Sequence, residues 1–96
     1  MELTYKVDWK PLEILARTYQ NKINLDEWMY MGTVDNFGTD IYLYKNIITR
    51  NYLNADYYGD CYRYDSLTKQ LGNGSITSEY VPIHKEVAVN KAINYK

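Results

Sequence analysis

Ninety-six residues with a formal net charge of −1 leave room for one domain, residues 1–96, with one core and little else. The near-neutral balance gives no general pull towards nucleic acid or an anionic membrane, and no apolar run of about 18 residues is present to span a bilayer. A single cysteine, Cys61, excludes an internal disulfide and, with no basic-then-apolar leader at Met1–Lys6, fits a reducing cytoplasm.

The first segment alternates, with Leu3, Tyr5, Val7 and Trp9 on one side and Glu2, Thr4, Lys6 and Asp8 on the other. That period of two predicts a half-buried strand. Pro11 then opens a helical pattern through Leu12, Leu15, Ala16, Tyr19 and Ile23, which predicts a helix over roughly 11–22 capped by Asp8 or Lys10.

Two strands follow, Glu27–Val34 and Asp40–Tyr44, joined at Asn36-Phe37-Gly38. A three-residue loop with Gly38 in the left-handed region pairs Tyr30 with Tyr44, Gly32 with Tyr42, Met31 with Leu43 and Thr33 with Ile41. One face of the hairpin is then aliphatic and suited to the core, and the other carries Trp28, Tyr30, Tyr42 and Tyr44.

The pattern predicts another strand over 47–53, a turn over 54–59 and a strand over 60–64 with Tyr62 and Tyr64 on one face. Residues 66–71 read equally as helix or strand, and Gly72-Asn73-Gly74 reads as a turn. Pro82 is placed to start a second helix through Ile83, Val87 and Ile93, although Val87-Ala88-Val89 also suits a strand. The expected class is α+β: a small single domain, with an antiparallel meander of three to five strands, an N-terminal helix packed on it and room for a C-terminal one.

Candidate chemistry is sparse. Asn54, Asp56, Gly59 and Asp65 fall at positions 1, 3, 6 and 12 of a calcium-loop template, but Asp at the twelfth position is short and the flanks read as strands. Cys61 and His84 are the only thiol and imidazole, and nothing in their spacing of 23 residues joins them as nucleophile and base. The pairs Asp35/Asp40 and Asp56/Asp60 flank turns, where acidic residues are expected from turn chemistry alone. These readings predict no catalytic residue, no metal and no cofactor.

Tyrosine is the exception. There are twelve, against one phenylalanine, and eight of them lie between Asp26 and Asp65. A buried phenol demands a hydrogen-bond partner where Phe would not, so part of the tyrosine belongs at a surface. The same 26–65 segment carries −4, while residues 1–25 carry +1 and 66–96 carry +2. An acidic, tyrosine-rich surface suits a protein partner with a basic patch. The expected contact residues are Tyr30, Tyr42, Tyr44, Asp56, Tyr57, Tyr58, Asp60, Tyr62 and Tyr64.

The residues encoded by AT-rich codons (Ile, Asn, Lys, Tyr, Phe, Met) number 41, against 14 for Gly, Ala, Arg and Pro, which suits a low-GC bacterium or its phage. The resulting expectation is a non-enzymatic, stoichiometric inhibitor of a host defence or nucleic-acid-handling protein, anti-CRISPR-like in kind. The alternatives are a single-stranded nucleic-acid binder that stacks bases on the tyrosines, with Lys45, Arg50 and Arg63 for phosphate, and a homo-oligomer or ligand-sequestering protein.

Overall fold

The computed structural model describes residues 3–65 and 79–94. In chain order the elements are β1 (Leu3–Thr4), α1 (Lys10–Thr18), a 3₁₀ turn (Leu25–Glu27), β2 (Trp28–Asn36), β3 (Thr39–Asn46), β4 (Tyr52–Ala55), β5 (Cys61–Asp65), β6 (Glu79–Ile83) and α2 (Lys85–Ile93). The six strands form one antiparallel meander in sequence order, with a helix near each end of the chain. The fold is the expected α+β domain with a larger sheet than the strand signals suggest.

Alternation overstates β1. Only Leu3 and Thr4 pair, against Val34 and Thr33, and the apolar positions Tyr5 and Val7 are exposed. A period of two does not by itself bury a face when the chain beyond Thr4 finds no strand to pair with among the described residues. Helix α1 starts where proline suits a first turn, with the Asp8 carboxylate accepting from the Lys10 N–H at 2.9 Å. It stops at Thr18, four residues short of the expected end, and the chain turns through Tyr19–Lys22 before Ile23 is buried.

The main hairpin needs the largest correction. Asn36 pairs with Thr39, so the loop is the two residues Phe37-Gly38, with φ of 54° and 90°. Both values are positive, as a type I′ turn requires. From that tip the register runs Val34 with Ile41, Thr33 with Tyr42 and Gly32 with Leu43, then shifts at Met31 before Tyr30 meets Tyr44. A bulge absorbs the extra residue and restores the expected Tyr30–Tyr44 pair. Gly32 carries it with φ of 137°, and a Cβ there would lie 2.4 Å from Leu3 Cδ1.

Further along, Ile47–Arg50 form the β3–β4 turn instead of a strand, and β4 continues to Ala55 through the start of the expected turn. The buried Asn46 holds this turn by accepting from the Ile48 and Thr49 N–H groups, each at 2.9 Å. Thr49 and Asn51 in turn donate to the carbonyls of Ala92, Lys91 and Asn94 at the end of α2. Pro82 lies within β6, a position open to proline because β6 is an edge strand, and the helix starts three residues later. The ambiguous stretch 66–71 and the 72–74 turn lie outside the described residues.

Both helices pack on one face of the sheet. Leu12 and Leu15 of α1 and Ala88, Val89 and Ala92 of α2 join Trp28, Tyr42, Tyr44, Leu53, Ala55 and Cys61 in one core. Lys22 Nζ donates to Asn90 Oδ1 at 3.0 Å, tying the segment after α1 to α2. The aromatic face of the hairpin is therefore the main core. The aliphatic face holds a second cluster, Val34, Ile41 and Leu43 with Met31, Tyr62 and Tyr80 around it.

That second cluster exists because the sheet rolls up. Neighbouring strands rotate by about 20–25°, so four steps from β2 to β6 turn the direction by roughly 90°. The roll brings the start of β6 over the end of β2, where Asn36 Nδ2 donates to the Tyr80 carbonyl and Asn36 Oδ1 accepts from the Tyr80 N–H, each at 3.0 Å. One side-chain amide thus acts as a one-residue rung between strands separated by three others.

Candidate functional site

The nine residues expected to contact a partner fall into three places. Tyr30, Tyr42 and Tyr44 belong to the core. Tyr44 is 0% and Tyr42 7% exposed, and Tyr30 is half-buried. Two of their hydroxyls solve the polar problem of burial locally. Tyr44 donates to the Asp8 carbonyl at 2.5 Å, and the Tyr30 hydroxyl lies 2.5 Å from Thr33 Oγ1. Trp9, tilted, and Tyr30, edge-on, pack around Tyr44 at 5.5 and 6.2 Å between ring centroids. Burial, then the nearby Asp8, pushes the Tyr44 phenol well above its ordinary range. The choice of Tyr over Phe here serves to fasten the chain before α1 to the sheet.

Asp56, Tyr57, Tyr58 and Asp60 make the β4–β5 turn, but they do not act alike. Asp56 is 6% exposed and has both carboxylate oxygens committed. Oδ1 accepts from the Tyr58 and Asp60 N–H groups at 2.9 and 3.1 Å, and Oδ2 accepts from the Tyr62 hydroxyl at 2.8 Å. It is an internal clamp for the turn, and the calcium-loop spacing has this structural explanation. Among the described residues, no group of three or more His, Cys, Asp or Glu side chains could hold a metal. Gly59 completes the turn at φ of 88°, with Ile14 of α1 close enough that a Cβ would lie 2.8 Å from its Cγ2.

Tyr57, Tyr58 and Asp60 point outwards. Tyr58 is 80% exposed, and Tyr57 lies between Tyr42, 6.2 Å away ring to ring, and Lys10 Nζ, 5.3 Å from its centroid. The tip of the β2–β3 hairpin adjoins this turn: a shallow hollow is lined jointly by Gly38, Thr39, Asp40, Tyr42, Asp56, Tyr57 and Tyr58. Beside the hollow stands Phe37, 74% exposed. Asp35, Asp40 and Asp60 rim the two tips, with Lys6 paired to Asp40 at 3.3 Å and Lys85 to Asp60 at 3.6 Å. The acidity summed along the sequence is thus diluted in space by lysines from outside the acidic segment.

Tyr62 and Tyr64 belong to neither the main core nor the tips. They line a cleft that sequence reasoning missed. β4 and β5 share only two rungs, Asn54 with Tyr62 and Ala55 with Cys61, and then part. Leu53 and Tyr52 on one side and Arg63 and Tyr64 on the other flank an opening of about 460 Å³, lined also by Leu43, Asn54, Tyr80 and Ile83 and by Ala88 and Lys91 of α2. The rings of Tyr64 and Tyr80 meet at 5.2 Å. Burial, then the nearby Tyr64 and Tyr52 phenols, raises the pKa of Tyr80. No sequence signal marks where two paired strands separate, because each strand reads as normal on its own.

Cys61 and His84 are brought near by the ladder, since Cys61 pairs with Ile83. The thiol is buried, with Gly59 O at 3.7 Å from Sγ, and burial pushes it up to about 12. His84 is exposed at the start of α2. No protein-family model, no curated protein and no solved structure matches the chain.

Proposed function

We propose that the chain is a small, non-enzymatic protein-binding domain that engages a partner through the two adjoining hairpin tips, with Phe37, Tyr57 and Tyr58 as anchors and Asp35, Asp40 and Asp60 as the rim. The observation that carries this reading is Phe37. A type I′ turn favours Asn or Gly at its first central position, and a bulky residue at positive φ costs about 1–2 kcal/mol. Here that position holds the chain's one phenylalanine, 74% exposed at φ of 54°. Strain at an exposed aromatic is what a contact residue would leave in the free protein.

The partner is a host protein with a basic surface, blocked stoichiometrically, and the AT-rich composition supports a phage or mobile element as the source. The two ion pairs at the rim favour this exchange. Lys6–Asp40 and Lys85–Asp60 are exposed pairs, and such pairs contribute about 0–1 kcal/mol, so a partner's arginines would displace the lysines cheaply.

The test is affinity capture from a low-GC host lysate with the wild type, Phe37→Asn and Tyr57→Ala/Tyr58→Ala, read by mass spectrometry. A protein retained in about equimolar amount by the wild type and lost from both variants supports the reading. Equal recovery by all three removes the tips from the interface.

A further inference from the structure

The cleft between the parting strands β4 and β5 is chemically distinct from the hairpin tips. Its walls are aromatic and aliphatic, with Tyr52, Tyr62, Tyr64 and Tyr80 around Leu43, Leu53 and Ile83. Its charged lining residues, Arg63 and Lys91, are both cationic. Lys45 adds a third cation beside it, with Nζ 5.7 Å from the Tyr52 ring centroid. Arg63 shares its charge with Asp65 at 3.6 Å, whereas Lys91 makes no salt bridge among the described residues. A volume of about 460 Å³ lies within the range of small-molecule sites, about 300–1,000 Å³.

A buried polar group adds an independent requirement. Asn54 is 7% exposed and lines the cleft; its Nδ2 donates to the Tyr62 carbonyl at 3.4 Å, but its enclosed Oδ1 has no hydrogen-bond partner among the described residues. A buried acceptor left unpaired is costly, so a donor that reached Asn54 Oδ1 from the cleft would be favoured. An occupant that answers the whole lining has a flat ring for the phenols, N–H groups on that ring for Asn54 and an anion for Lys91 and Arg63.

The geometry points to a nucleotide unit as that occupant: its base lies among Tyr52, Tyr64 and Tyr80 on the sheet face away from the helices, with a ring amine donating to Asn54 Oδ1 once that side chain turns towards it, and its phosphate reaches through the gap between β4 and β5 to Lys91 and Arg63 on the helix face. Stacking on tyrosine and pairing with cations are the two terms by which proteins hold single nucleotides and unpaired strands. The shared chemistry has two sources, a free mononucleotide or one residue of a single strand. This site is independent of the hairpin tips and does not depend on the partner proposed for them.

The test is a titration of the full chain with AMP and, separately, with a short single-stranded oligoadenylate, followed by amide NMR shifts at low and physiological salt. AMP should shift the amides of Tyr52, Asn54, Tyr64 and Lys91 saturably. Tyr64→Ala should weaken binding by at least about fivefold, and Lys91→Glu by about tenfold, with Lys91→Arg restoring it. Both positions are exposed, so these variants should keep the wild-type spectrum away from the cleft. Tyr58→Ala at the tips should leave the affinity unchanged.

Tighter, steeply salt-dependent binding of the oligonucleotide at the same amides assigns the site to a strand. Saturation by AMP with no gain from the longer ligand assigns it to the free nucleotide. Overturning the proposal takes either no saturable shift at the cleft with both ligands, or binding that neither Tyr64→Ala nor Lys91→Glu weakens.

Discussion

The β4–β5 pair ends in two different ways, and the contrast explains much of this molecule. At the turn end, Asp56 gathers two backbone N–H groups and the Tyr62 hydroxyl, and Gly59 seats against Ile14. At the other end the same two strands separate after two rungs and leave Tyr52 and Tyr64 flanking a cleft. Tyrosine and charge occur at both ends. Where the carboxylate is buried and both its oxygens are used, they make a rigid turn. Where the lining charges are cationic and the strands part, they border an open cleft.

The largest way to break the comparison is Asp56→Ala. Removing the clamp strands two backbone donors and a phenol, and should lower stability by about 3 kcal/mol in urea denaturation. Amide exchange should accelerate first around residues 56–62, with the cleft end little changed.

Alkaline pH attacks the same end by a second route. Burial, then the Asp56 hydrogen bond, raises Tyr62 from 10.0 to about 12, and burial raises Cys61 from 9.0 to about 12. In each case the unfolded chain ionises first, so the folded state loses stability as pH rises from about 9 towards 12, and these groups contribute no pH dependence below that window. Urea midpoints at pH 8, 10 and 11 should fall in that order, and Tyr62→Phe should lessen the fall without removing it, because the buried Tyr44 phenol and Cys61 thiol are raised as well.

A smaller effect has the opposite sign. Phe37→Asn relieves the positive φ at the neighbouring tip and should stabilise the protein by about 1 kcal/mol while weakening partner capture. A variant that loses stability instead would mean that Phe37 packs usefully in the free protein.

Smallest of all, Tyr64→Ala at the open end should change stability by about 0.5 kcal/mol or less, because the ring is half exposed. A loss as large as that at Asp56 would make the cleft wall structural and erase the contrast between the two ends.

Several features of the fold are legible in the residues themselves. Pro11 with the Leu12/Leu15 spacing locates α1, and the aromatic face of the main hairpin, with Tyr30, Tyr42 and Tyr44 together, follows from alternation. What sequence patterns miss is each feature that needs a third element. Face consistency alone favours a three-residue loop, yet a bulge at Met31 keeps Tyr30, Tyr42 and Tyr44 on one face with a different register that moves Thr33 to their side. Pro82 reads as a helix start because sequence does not show which strand lies at a sheet edge. Asp56 reads as a surface charge because acidic residues at turns normally are solvated, and only the packed Tyr62 hydroxyl and the turn amides reveal its burial.

The sequence by itself determined the class, α+β with an N-terminal helix and a meander, because periodicity and turn residues act over a few neighbouring positions. The tertiary structure decided which face would be core. Trp28, Tyr42 and Tyr44 are amphipathic enough to face water or to be buried, and α1 and α2 buried them by packing on their side of the sheet. It also decided what was left open. The twist accumulated over the strands brings Asn36 to Tyr80 and parts β4 from β5, so the tyrosines that reach solvent there are set by the sheet's curvature and not by their own local sequence.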